Sequence, residues 1–129
     1  MKRELLQNWL AKAEKDLAVA EHLLLENATY LDAVGFHAQQ AAEKFLKAFL
    51  VQHQIEFPKT HDLDELLDIV ATVESALAES LRDVIVLTQY GVDVRYLGDF
   101  SEITPEDARR AVKLAGKVRE AILNALKVL

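Results

Sequence analysis

The sequence predicts an all-α protein, an up-and-down bundle of four to five helices, and three features predict it. Apolar residues recur at steps of three and four through three long segments, the spacing that keeps one face of each helix against a core. Proline, threonine and aspartate stand where helices start or stop. Short strand-like runs such as "VDVRY" have no partner elsewhere in the chain. At 129 residues the chain reads as one domain, 1–129, large enough to bury a core without disulfides.

In the first segment Leu6, Trp9, Ala13, Leu17, Ala20 and Leu24 make the inward stripe of a helix from about residue 3 to 26. The polar break "ENATYLD" ends it. A second helix then runs to about His53, with Val34, Ala38, Ala41, Phe45, Ala48 and Phe49 inward. Its apolar arc widens to take in Ala42, Leu46 and Leu50, so it must touch two or more neighbours. Pro58 stops it, because proline lacks an amide hydrogen and turns the preceding Phe57 away from helical angles. Asp62 and Glu65 read as a capping pair for a third helix, whose buried stripe is Leu63, Leu66, Leu67 and Val70. Beyond "ATVES", Leu77, Leu81, Val84 and Ile85 mark a fourth, ending near Gln89 or Tyr90; the break before it is weak enough that the two could form one bent helix. Residues 90–103 read as a loop around Gly91 and Gly98. "TPED" then starts the last helix, with Thr104 as N-cap, Pro105 at the first helical position and Asp107 reaching back. Ala108, Ala111, Ala115, Val118, Ile122, Ala125 and Leu129 are its inward face.

Composition prunes the functions. There is no cysteine, which removes disulfides, thiolate catalysis and sulfur-ligated metals. No stretch approaches a membrane span and the N-terminus lacks a signal-peptide core, so a soluble, cytoplasmic protein is expected. The net charge of -6 argues against a uniformly basic nucleic-acid binder. Its distribution is uneven. Residues 56–107 hold 13 acids against 3 bases, whereas residues 108–129 hold 6 bases against one acid, Glu120. Such blocks are either solvated, salt-bridged helix faces or surfaces that meet a partner. His22, His37, His53 and His61 lack metal-ligand spacing, and no zincin, phosphate-loop or serine-nucleophile motif occurs. No metal or other cofactor is expected.

Three groups of residues could carry chemistry. Along the second helix His37, Gln40, Lys44 and Lys47 fall within a sector of about 80°, a polar seam beside the apolar arc. It is either the solvated edge of an amphipathic helix or a set of groups poised for a phosphate or an acidic partner. "PKTHDL" offers His61 and Asp62, which otherwise serve as loop and cap residues. In the long loop, Arg95 beside Tyr96 suits phosphate or base contact, as well as a plain ion pair.

With "FHAQQAAEKFLKAFL", "FPKTHDLDELL" and "DVRYLGDFSEITPEDARRAVKLAGKVRE" in this order, the chain resembles the HEPN-domain family of small helical proteins. The resemblance covers nearly the whole chain. It implies a four- to five-helix bundle, often a homodimer, commonly encoded beside a minimal nucleotidyltransferase in toxin–antitoxin-like pairs. It also implies nucleotide binding, and in some members metal-independent ribonuclease activity carried by an Arg followed, after four to six intervening residues, by His. Here the sequence departs from the pattern. After Arg95 the corresponding positions hold Phe100, Ser101 and Glu102, and none of Arg3, Arg82, Arg109, Arg110 or Arg119 is followed by His at that spacing.

The resemblance and the departure together imply a non-catalytic, dimeric HEPN-type partner of a nucleotidyltransferase, offering a nucleotide- or substrate-facing surface. Its candidate residues are His37, Gln40, Lys44, His61, Asp62, Arg95 and Tyr96. A divergent ribonuclease toxin is the enzyme alternative, which the net charge disfavours because RNA affinity is largely phosphate neutralisation. A purely structural or regulatory dimerisation module is the third.

Overall fold

The computed structural model describes residues 2–26, 30–91 and 103–127. The described residues form helices only: α1 (Lys2–Glu26), α2 (Leu31–Gln52), α3 (Leu63–Ala71), α4 (Ser75–Ser80), a 3₁₀ helix (Arg82–Tyr90) and α5 (Pro105–Lys127).

Helix α2 is the axis of the fold, packed against α1 on one side and α5 on the other. Its apolar arc is the reason. Val34, Ala38, Ala41, Ala42, Phe45, Leu46, Ala48, Phe49 and Leu50 are all completely buried, and each large side chain taken from water stabilises by about 1.5–3 kcal/mol. Helices α1 and α2 are antiparallel, since Asp16 meets Lys44 while Trp9, nearer the start of α1, lies against Lys47. In α1 only Ala13, Leu17 and Ala20 of the predicted stripe are fully inside, and Leu6, Trp9 and Leu24 lie at its half-buried margins.

At its far end α2 stops in a Schellman turn. The Gln54 N–H donates to the Val51 carbonyl (3.0 Å) and the Ile55 N–H to the Leu50 carbonyl (2.9 Å). This pattern needs a left-handed residue, and Gln54 supplies it at φ 57°. The chain therefore turns away four residues before Pro58, and the proline stands in the connection rather than at the helix end.

The third and fourth helices are more broken than the sequence suggested. Helix α3 starts at its Asp62 cap, whose carboxylate accepts from the Asp64 N–H at 3.0 Å. The reciprocal half of a capping box is replaced, because the Asp62 N–H donates to Thr60 Oγ1 (3.1 Å) instead of to Glu65. Residues 72–74 separate α3 from α4, so the pair is not one bent helix, and α4 ends at Ser80. The chain then tightens into the 3₁₀ helix, with Leu81, Val84 and Leu87 all fully buried at steps of three. That step is the period of a 3₁₀ helix. Ile85, expected inside, is instead 39% exposed.

The start of α5 is as predicted. Asp107 N–H donates to Thr104 Oγ1 (3.0 Å) and Thr104 N–H to Asp107 Oδ2 (3.2 Å), a complete box. Its buried face is Ala108, Ala111, Leu114, Ala115, Val118 and Ile122; Ala125 is only partly covered and Leu129 lies outside the described residues. The helix enters beside the first turns of α2, where a Cβ on Gly35 would stand 3.0 Å from both Ile103 Cδ1 and Tyr90 Cγ. A glycine is needed at this crossing.

Candidate functional site

The polar line of α2 divides into two clusters, one half open and one closed. His37 and Lys44 are seven residues apart, two turns along one face, and a single carboxylate from α1 joins them. Asp16 Oδ1 pairs with His37 Nδ1 at 2.9 Å, and Lys44 Nζ donates to Asp16 Oδ2 at 2.5 Å. Their side chains remain 29% (His37), 22% (Lys44) and 13% (Asp16) exposed. With Nδ1 engaged, the second nitrogen of His37 is the one left for another partner. Lys44 gives one of its three ammonium donors to Asp16, whose negative charge opposes an incoming anion.

The closed cluster centres on Glu43, which is 3% exposed although it carries a carboxylate. Three donors account for it. Lys47 Nζ reaches Glu43 Oε2 at 2.9 Å, while Gln39 Nε2 (3.1 Å) and His61 Nδ1 (2.8 Å) meet Oε1. Lys47 is itself buried, with its ammonium 5.7 Å from the ring centres of both Trp9 and Phe57, a cation–π setting that further offsets its lost hydration. The fully buried Gln39 also donates to the His61 carbonyl (3.1 Å) and accepts from Gln40 Nε2 (2.7 Å). Helix α2, the aromatic pair Trp9 and Phe57, and the loop before α3 are thus fastened at one point. No buried side-chain nitrogen or oxygen among the described residues lacks a partner.

The predicted site residues therefore separate. Structure brings His37 to Lys44 and adds Asp16; Gln40 turns to Gln39 instead of joining them. His61, half exposed, is tied to Glu43, not to the adjacent Asp62, which caps α3. Arg95 and Tyr96 lie outside the described residues. Asp16, Gln39 and Glu43 did not stand out in the sequence. A signal for the last two exists in retrospect: Gln39, Glu43 and Lys47 are spaced by four, a polar ridge running into an otherwise apolar arc. Among the described residues no three His, Asp or Glu side chains are placed to hold a metal ion. No described helix is long and apolar enough to cross a membrane.

The bundle is thus built around an Ala- and Phe-rich central helix, with the "PKTHDL" loop pinned to it. The model of the HEPN domain matches residues 6–126. The chain belongs to the HEPN domain family. A HEPN relative in Methanocaldococcus jannaschii, named "Putative toxin MJ1304", is 34% identical over 134 aligned residues, covering 92% of this chain and 86% of the relative. No solved structure matches the chain. The HEPN match includes both polar clusters of α2 and the region holding Arg95.

Proposed function

We propose that this HEPN protein is the non-catalytic helical member of a toxin–antitoxin-like pair, acting as a dimer that binds a minimal nucleotidyltransferase and offers it a nucleotide- or substrate-facing surface. The observation that carries the reading is a substitution within a retained framework. The family match runs from residue 6 to 126, yet Phe100, Ser101 and Glu102 stand where a histidine would follow Arg95. Cleavage of RNA needs a group that moves a proton at the 2′-hydroxyl or stabilises charge at the scissile phosphate. In the α2 clusters His61 and His37 are held at Nδ1 by Glu43 and Asp16, and neither follows an arginine at the spacing of the ribonuclease motif.

The half-open cluster is the place where a nucleotide phosphate would bind, through Lys44 and His37. Calorimetric titration of ATP and GTP into the purified protein tests this, with His37→Ala/Lys44→Ala alongside. Saturable binding that the double variant loses is expected. Undetectable binding by both proteins removes the nucleotide clause and leaves the partner clause, which co-purification with a nucleotidyltransferase encoded beside the gene tests separately.

The second reading, a ribonuclease toxin, is favoured by the name of the archaeal relative. Strong expression separates the two. Unimpaired growth with intact total RNA fits the binding module; RNA cleavage that vanishes on Arg95→Ala would establish the enzyme.

A further inference from the structure

The charge blocks of the sequence are not used by either cluster of α2. In the fold they become two neighbouring patches. Arg109, Lys113 and Lys117 are spaced by four and so lie along one ridge of α5. Lys117, at the end of that ridge, bonds Asp83 of the 3₁₀ helix through both carboxylate oxygens, at 2.9 and 3.0 Å. Arg109 and Lys113 are exposed and make no ion pair among the described residues. On the other side of the Lys117–Asp83 contact, Arg82 gathers three carboxylates: Asp64 at 2.9 Å, Asp68 at 3.0 Å and Glu79 at 3.5 Å. Three acids around one guanidinium leave that patch negative.

An apolar group sits beside it. Ile85 is 39% exposed while Leu81, Val84 and Leu87 of the same stretch are fully buried. Residues three apart eclipse in a 3₁₀ helix, so Ile85 stands on the side of Arg82.

We propose that this face is a self-association surface, on which two copies meet about a two-fold axis near the Lys117–Asp83 contact. Arg109 and Lys113 of one copy face Asp64, Asp68 and Glu79 of the other, and the two Ile85 side chains meet between them. Two-fold symmetry requires a patch that complements itself, and adjacent patches of opposite sign satisfy it. A nucleic acid is the poorer occupant, because the acidic patch and the net charge of -6 would repel its phosphates. The inference rests on the dimeric clause of the proposed function and gives that clause a location.

Sedimentation velocity of the full chain tests it, at about 50 mM and about 500 mM salt, where the screening length falls from roughly 14 Å to roughly 4 Å. The proteins are the wild type, Arg109→Glu/Lys113→Glu, Asp68→Lys/Glu79→Lys, and an equimolar mixture of the two variants. Circular dichroism verifies that each is folded. The expected result is a wild-type dimer that weakens with salt, a loss of about tenfold or more in dimer affinity for each variant alone, and recovery of a dimer in the mixture. Variants that dimerise like the wild type, or a mixture that stays monomeric, overturn the location while the dimeric reading stands. A wild type that is monomeric at both salt concentrations overturns both.

Discussion

Replacing Glu43 by glutamine should be among the most damaging isosteric changes in the protein. The substitution keeps the shape of the side chain and removes only its charge. Lys47 then remains 8% exposed with no counter-ion. At the observed 2.9 Å the direct attraction is worth about 6 kcal/mol for an effective dielectric of about 20. Desolvation of both groups offsets much of it, so the attraction is not the net contribution of the pair. Once Glu43 is neutral, however, the buried ammonium has no opposite charge and keeps only the glutamine carbonyl oxygen as an acceptor and the rings of Trp9 and Phe57 at 5.7 Å. A loss of about 3–5 kcal/mol is expected, a third or more of the stability of an ordinary domain. Urea unfolding followed by circular dichroism reads it. The double variant Glu43→Leu/Lys47→Met removes both charges at similar volume and should be far less damaged, or even more stable than the wild type by about 1–4 kcal/mol. Gln39 keeps its bond to the His61 carbonyl there, and half-exposed His61 finds water. If Glu43→Gln cost less than about 1 kcal/mol, or if the double variant were as damaged as the single, the pair would not be a closed, desolvated unit and the reasoning would fail.

Four further outcomes are expected. Gly35→Ala should lower the melting temperature, because the new Cβ meets Ile103 and the Tyr90 ring at 3.0 Å and overpacking of about 1–3 kcal/mol outweighs a helix-propensity gain of about 1 kcal/mol; Gly116→Ala, with nothing within 4 Å, should raise it by that gain. Gln54→Gly relieves a left-handed residue at φ 57° and should stabilise by about 1 kcal/mol in denaturant titration. Burial, reinforced by Asp107 and opposed by Arg110, raises the Tyr90 phenol above its ordinary value of 10.0. The folded state therefore holds that proton more tightly, and stability falls as pH rises through and beyond about 10; Tyr90→Phe should flatten this alkaline decline. Asp16→Ala frees both Lys44 and His37 from their shared carboxylate, so nucleotide affinity measured by calorimetry should rise rather than fall, and an unchanged affinity would take the cluster out of the binding reading.

The fold was legible where burial follows local periodicity. The arc of α2 from Val34 to Leu50 is apolar at nearly every inward position, and burial of the whole arc needs no knowledge of the partners. The box at Thr104 and Asp107 is local in the same sense. The stretch after Ser80 was misread for a definite reason: Val84 and Ile85 both fit a helix of 3.6 residues per turn, whereas the buried Leu81, Val84 and Leu87 follow a period of three. The site was less legible. His37 and Lys44 could be placed on one face from spacing alone, but Asp16 joins them only through the axial offset of α1 against α2, which no local pattern encodes. Glu43 was hidden for the opposite reason. A carboxylate within an apolar arc reads as an interruption until the three donors that neutralise it are seen together.

That hidden carboxylate changes what the polar line of α2 means. Apolar helix faces pack in several nearly equivalent registers, since one small side chain replaces another at little cost, and α1 and α2 meet largely through alanine and leucine. Charged contacts between elements remove that freedom: sliding α2 by one turn would keep the Glu43–Lys47 pair, since both residues ride on α2, but would carry it about 5.4 Å from His61, Trp9 and Phe57 and would part Asp16 of α1 from His37 and Lys44. The cluster around Glu43 thus fixes the seat of the loop carrying His61 on α2, and Asp16, reaching from α1 to His37 and Lys44, fixes the register of the two helices. An anionic ligand at His37 and Lys44 meets the charge of Asp16, whereas Arg109 and Lys113 make no ion pair among the described residues. Recognition on the outside of α5 costs the fold nothing, and recognition at the seam of α2 draws on the residues that align its helices.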